Sequence, residues 1–196
     1  MRFAANGLAA AALAAQSLMA QGLPSWWRPM LDAPRFASRF TQESQSQVFG
    51  KLAKKGRIEA AQGGRLRVSY DDGLLLIADG ASLIQYDPDT RTAQRMDLGQ
   101  ALLDMPLLNL LVAPERLAKV YKVEQISPDT VRLVPSQKDL PAMEIQGSGR
   151  FARVLRWTDA TGAKQELRLL DPKVPASFPA TDFKFVLPKG ATMVGN

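Results

Sequence analysis

Two residue types that carry much of protein chemistry near neutral pH are missing: the 196-residue chain has no cysteine and no histidine. Without cysteine there is no disulfide framework and no thiolate metal site. Without histidine, the commonest general base, the commonest metal ligand and the usual charge switch near neutrality are gone. Catalysis without histidine is possible, but its prior falls. Catalytic signatures are absent too: the sequence holds no G-x-S-x-G, no H-E-x-x-H, no P-loop and no S-x-x-K. Gly147-Ser148-Gly149 is a lone G-x-G with no dinucleotide-fold setting around it. Two close carboxylate pairs, Asp71/Asp72 and Asp87/Asp89, sit in turn-like stretches where Asp serves local hydrogen bonding. Neither pair offers enough converging ligands for a metal.

What remains is an ordinary globular composition, 46% hydrophobic and 22% charged, in a length that suits one domain with a real core. Lys and Arg number 25 against 19 acidic residues, a net charge of +6. Such a balance fits an anionic partner or simply the solvated face of a sheet. Dispersal of Arg65, Arg67, Arg150, Arg153 and Arg156 along alternating strands favours the second, and no aromatic-interleaved motif points to nucleic acid. Residues 1–20, MRFAANGLAAAALAAQSLMA, have the shape of a secretory leader: an early Arg, an Ala/Leu-rich run and a small residue at Ala20. The alternative is an Ala-rich N-terminal helix. With a leader, residues 21–196 form the mature domain, outside the cytoplasm.

The organising stretch is Arg65 to Asp87, RLRVSYDDGLLLIADGASLIQYD. Two Asp-Gly turn signals divide three short apolar runs, which predicts a three-stranded meander. Leu66, Val68 and Tyr70 alternate with Arg65, Arg67 and Ser69, so one face is dry and the other wet. Before it, Phe36–Gln47 and Ala53–Ala61 read as a strand pair with Phe36 and Phe40 inward; after it, Met96 and Leu98 continue the dry face. Trp26, Trp27, Met30 and Leu31 fit the stripe of a short helix over the mouth of the fold, or alternatively a membrane-interface anchor. Residues 99–116, GQALLDMPLLNLLVAPER, are too apolar for a surface helix, and Pro106 predicts a kink or two short turns. The rest reads as antiparallel β, with Trp157 filling the interior. About ten strands, a few short helices and a dry face rich in Leu, Met and Phe predict an incomplete antiparallel β-barrel around a hydrophobic hollow.

The meander also resembles a known family. GGRLRVSYDDGLLLIADGASLIQYD, preceded by FASRFTQ, is similar to the periplasmic outer-membrane lipoprotein carriers of the LolA type, whose members read roughly R-P-G-R-L-R-F-x-Y, then L-x-V-A-D-G, then Y-D-P. The likeness runs from about Pro34 to Lys189. It implies a helical lid over the hollow, and a carrier that sequesters the acyl chains of lipoproteins released by an inner-membrane ABC transporter and delivers them to an outer-membrane acceptor. It implies no enzyme, cofactor or metal, and a monomer. The acyl-binding set expected on this basis is Phe36, Phe40, Leu66, Val68, Tyr70, Leu75, Ile77, Ile84, Tyr86, Met96, Leu98 and Trp157, with Leu103, Leu107, Leu108 and Leu111 on the lid. The family usually has an Arg, thought to hold the lid, before the Pro-Gly that leads into R-L-R; here Gln62 and Gly63 stand in those places, which predicts a weaker latch. The other reading is a periplasmic sensor or adaptor of the same fold that binds lipidated or misfolded clients without transporting them. A histidine-free hydrolase ranks last.

Overall fold

The computed structural model describes residues 23–104, 106–138 and 140–195, with the backbone alone for 103, 104, 106–108 and 114–116. The expected leader, residues 1–20, lies outside the described residues. So do the side chains of Leu103, Leu107 and Leu108.

One twelve-stranded sheet forms the body, in the order β12-β6-β5-β4-β3-β2-β1-β11-β10-β9-β8-β7. Its strands are β1 (Arg35–Ser46), β2 (Gly50–Ala61), β3 (Arg65–Tyr70), β4 (Leu75–Asp79), β5 (Ser82–Asp87), β6 (Thr92–Asp97), β7 (Tyr121–Ser127), β8 (Thr130–Pro135), β9 (Met143–Ser148), β10 (Phe151–Thr158), β11 (Lys164–Leu169) and β12 (Thr192–Val194). The sheet is open, since its edge strands β12 and β7 do not pair with each other. Two strands exceed the expected ten, and one junction is parallel, β12 on β6. The meander forms as its turn chemistry predicts. Asp72 Oδ1 accepts the Leu74 N–H at 3.1 Å, and Asp79 Oδ1 accepts those of Ala81 and Ser82 at 2.9 Å. Asp87 Oδ1 does the same for Asp89 at 2.9 Å. Asp72 and Asp87 thus serve their own turns.

Register decides what faces what. Phe40 sits opposite Leu169, Val68 opposite Leu76, and Leu66 opposite Ala78, so these share the inner face. Leu83 and Gln85 join them, opposite Ala78 and Leu76, followed by Met96 and Gln94 on β6. Four short helices cover this face: α1 (Trp27–Leu31), α2 (Leu98–Asp104), α3 (Pro106–Val112) and α4 (Pro114–Val120). The leucine-rich stretch therefore breaks twice, at Pro106 and again at Pro114, because proline has no N–H for the preceding turn and is accepted at a helix start. α2 rests on β5 and β6, α3 on β2 and β3, and α1 on β10. Asp97 caps α2 by accepting the Gln100 N–H at 2.9 Å. Leu98, expected on a strand, instead opens this helix and is buried in the core.

The outer face carries a second burial layer. The C-terminal segment crosses it as a strap: it bridges Ala37 at Lys173, accepts from Arg35 at Pro175 O (2.8 Å) and from Arg67 at Asp182 O (3.2 Å), then sets Phe185 against Tyr86 with centroids 5.9 Å apart. Arg91 Nη2 donates to Lys189 O at 2.8 Å, and the chain continues into β12.

Candidate functional site: a pocket at the mouth of the sheet

Because the strands alternate in direction, α1, the β2–β3 and β4–β5 turns and the start of α2 meet at one end of the sheet. Backbone closeness there needs glycine: a Cβ on Gly80, whose φ is +104°, would lie 2.6 Å from Gly63 O. Leu98 completes the contact, its Cδ2 reaching to 2.8 Å of where a Cβ on Gly64 would stand. Between these pieces lies a pocket of about 770 Å³, inside the range of about 300–1,000 Å³ usual for ligand sites. Met30, Leu31, Phe36, Ala60, Leu98, Leu102, Leu110, Leu111 and Val112 supply its apolar wall, while Arg35, Gln62 and Asp97 stand among its lining.

Deeper in, Leu66, Leu83, Val131, Leu133, Ile145 and Leu155 are fully buried, each 0% exposed. Phe40 is buried and meets the Tyr70 ring edge-on, 5.2 Å between centroids. Tyr70 donates to Gln42 Oε1 at 3.1 Å, and burial, helped by the Asp72 charge, raises its pKa.

α1 is held by its first tryptophan. Trp26 Nε1 donates to Asp129 O at 2.9 Å, and the indole lies on Gly147, where an added Cβ would fall 2.3 Å from the ring. The Asp129 turn is itself anchored: hydrogen bonds from Ser127, Gln146 and Thr130 lower its carboxyl to about 2. Trp27 stacks edge-on against Trp26 at 5.5 Å. Both tryptophans are buried, as the helix reading expects and a membrane anchor does not. α3 has its own tie. Asn109, a buried polar side chain, donates Nδ2–H to Leu102 O at 2.8 Å and so joins α3 to α2. Where α4 passes into β7, burial pushes the Tyr121 phenol up to about 12, and its O–H donates to Pro141 O at 3.1 Å.

The residues expected to line a cavity divide accordingly. Phe36, Leu98 and Leu111 line the pocket, with Gln62 on its rim. Phe40, Leu66 and Val68 belong to the packed core beneath, with Tyr70, Met96 and Trp157 half-buried against it. Leu75, Ile77, Ile84 and Tyr86 are on the other side of the sheet: Ile77 pairs with Arg67 and Ile84, and Leu75 with Ser69 and Tyr86. The run LLLIA is apolar at every position and carries no alternation, so its register was open by one residue, and one residue flips every side chain. Ile77 and Ile84 are buried between the strap's anchor points at Arg67 and Tyr86. Gln62 is exposed. Its N–H donates to Pro34 O at 3.1 Å and its carbonyl accepts from Arg65 Nε at 3.3 Å, while its amide has no hydrogen bond among the described residues. Sequence reasoning missed Leu102, Leu110 and Val112 as pocket walls, and Asn109 as a tie; a single Asn in a leucine run was the available signal for the latter.

The fold is thus an open β-sheet that holds short helices against its inner face, with a pocket where they meet. The profile described as "Outer membrane lipoprotein carrier protein LolA" matches residues 33–186, and the chain belongs to that family. Among relatives, an outer-membrane lipoprotein carrier protein of Methylibium petroleiphilum is 25% identical over 152 residues, 74% of each chain. A protein of the same name from Chromohalobacter salexigens is 26% identical over 125 residues, 61% of this chain and 60% of that one. In fold, the chain is similar to an uncharacterized conserved protein from Thermus thermophilus, with a TM-score of 0.53 at 14% identity, covering 92% of this chain and 98% of that one. No helix among the described residues is long and apolar enough to cross a membrane.

Proposed function

We propose that this chain carries lipoprotein acyl chains through the periplasm, taking them from an inner-membrane ABC transporter and passing them to an outer-membrane acceptor, with no covalent step. The observation that carries the reading is the pocket at the junction of α1, α2 and α3, walled in part by Met, Leu, Phe and Val side chains, in a chain of the lipoprotein-carrier family. Exposing a ~16-carbon chain to water costs on the order of 10 kcal/mol, at about 0.8 kcal/mol per methylene. A carrier must therefore hold such chains against non-directional apolar walls, which Leu and Met provide.

The pocket as it stands admits the start of such a load. More room comes from α2 and α3, which form a removable apolar layer: lifting them uncovers Phe40, Leu66 and Val68 below and offers Leu102, Leu110 and Leu111 above. Acyl chains then replace helix-to-sheet contacts with contacts of the same kind, so opening and loading nearly balance. Leu75, Ile77, Ile84 and Tyr86 take no part. With Gln62 where the family usually has Arg, the lid is held to the sheet by Leu98 on the Gly64 turn, while the Asn109 bond joins α2 to α3 within it.

The test is transfer. The chain should release a lipoprotein from inner-membrane vesicles as a stable one-to-one complex and yield it to an outer-membrane acceptor, and Gln62→Arg should change retention, shortening it if the latch favours the closed, empty lid. A complex that forms but signals to an inner-membrane protein without yielding its client would establish the sensor reading instead. Failure to form any complex removes both.

A further inference from the structure

The apolar lining of the inner face comes to an end. Along β1 the inward positions are Phe36, Ser38 and Phe40, all buried, and then Gln42 and Ser44, both half-buried. The neighbouring strands change at the same level. On β3, Leu66 and Val68 lead to Tyr70, and on β11, Leu169 and Leu167 lead to Gln165. From Phe36 to Gln42 is about 20 Å at the usual rise per residue. In the next row apolar side chains resume, with Leu52 opposite Ser44 and Trp157 opposite Gln165. The amides therefore interrupt a surface that would otherwise run on.

Hydrogen bonds tie this polar line together. Tyr70 O–H donates to Gln42 Oε1 at 3.1 Å, and Gln42 Nε2 donates to Gln165 Oε1 at 3.4 Å. Gln165 Nε2 in turn donates to Ser44 Oγ and to Asp159 Oδ2, each at 2.8 Å. Lys54, opposite Gln42, sets its Nζ 5.5 Å from the centre of the Tyr70 ring and pairs with Asp72 at 2.9 Å. α3 rests on β2 and β3, so a chain admitted beneath it runs along these strands and meets Tyr70 and Gln42. Methylenes pressed onto those groups would take away water or partners without replacing them, which costs more than burying a methylene gains.

We propose that the hydrogen-bonded run of Tyr70, Gln42 and Gln165 is a stop that sets the longest acyl chain the inner face accepts. The inference rests on the carrier reading, in which lifting α2 and α3 uncovers the apolar rows before the stop. A saturated chain advances about 1.25 Å per methylene, the axial share of a ~1.5 Å single bond, so the ~20 Å from Phe36 to Gln42 takes about sixteen carbons. A longer tail leaves its remainder in water at the mouth.

The test measures the affinity of the full chain for N-acyl-glycylserine probes, with saturated tails of about ten to about twenty carbons, each below its micelle concentration. In the native chain affinity should rise about fourfold per methylene and level off near about sixteen carbons. Gln42→Leu with Tyr70→Phe removes both partners of one hydrogen bond, so neither is left buried and unpaired, and Gln165 keeps Ser44 and Asp159. In that variant the rise should continue for about two more methylenes, so the eighteen-carbon probe binds about tenfold tighter than to the native chain. The ten-carbon probe should bind both proteins alike, which shows that the variant is folded. A native curve that climbs unbroken to the longest probe needs no variant and overturns the proposal. So does a break that stays in place in the variant; either result leaves the carrier reading standing. No binding at any length removes both.

Discussion

Gly147→Ala adds one methyl group and should unseat the N-terminal helix. The new Cβ would stand 2.3 Å from Trp26 Cδ2 and 2.4 Å from Cε2, far inside contact distance, and the ring is buried. The indole must therefore leave its place, and its hydrogen bond to Asp129 O at 2.9 Å goes with it. Full loss of a buried Trp costs about 3–5 kcal/mol, and a hydrogen bond about 1 kcal/mol. Partial resettling of the ring brings the expected cost to about 2–4 kcal/mol. For a chain of this size that lowers Tm by roughly 5–15 °C. The assay is a circular-dichroism melt of four proteins: the native chain, Gly147→Ala, Trp26→Ala and the double variant. With the indole already gone, the added methyl should cost almost nothing, so the two substitutions should be strongly non-additive. An equal cost of Gly147→Ala in both backgrounds, or no cost in the native one, would refute the argument that Trp26 occupies the space a side chain at 147 would need.

Ile77→Ser should destabilise the fold by about 3 kcal/mol through the strap layer and leave acyl-probe affinity per folded molecule unchanged, whereas Leu102→Asp should weaken the probe; equilibrium titration of both separates the two faces. Asn109→Leu removes the donor to the Leu102 carbonyl and should cost about 1–3 kcal/mol, seen as faster amide exchange confined to α2 and α3. Tyr121 gives an alkaline signature. Its folded pKa is raised from 10.0 to about 12, so the neutral phenol favours the folded state. That contribution is complete below pH 10 and is lost as pH rises from 10 to 12. Tyr121→Phe should flatten that part of the stability curve, measured by denaturant unfolding across the range.

Much of the sheet was legible because turn chemistry and alternation agree: the Asp-Gly turns mark the ends of β3, β4 and β5, and Leu66, Val68 and Tyr70 sort cleanly from Arg65, Arg67 and Ser69. Where alternation lapses, so does legibility. The apolar runs at 74–78 and 83–84 fit either face, and the outer layer that claims Ile77 and Ile84 is made by a C-terminal segment with no strand or helix pattern of its own. Nothing local in it says which face Phe178, Phe183 and Phe185 cross. The leucine-rich stretch announced burial and a break at Pro106. It could not announce how completely its helices fill the space beneath, since a hollow and a packed core need the same residues.

The central claim is that apolar cargo enters at the mouth and lies between the helices and the inner face. A triacylated peptide with a nitroxide on one chain, added to methyl-labelled protein, tests it most directly by paramagnetic broadening. The account predicts Leu102, Leu110 and Leu66 methyls broadened most strongly, with Ile77 and Ile84, behind the sheet, broadened distinctly less. Sharp Leu102 and Leu110 signals at saturating peptide, or broadening confined to the outer face, would contradict it.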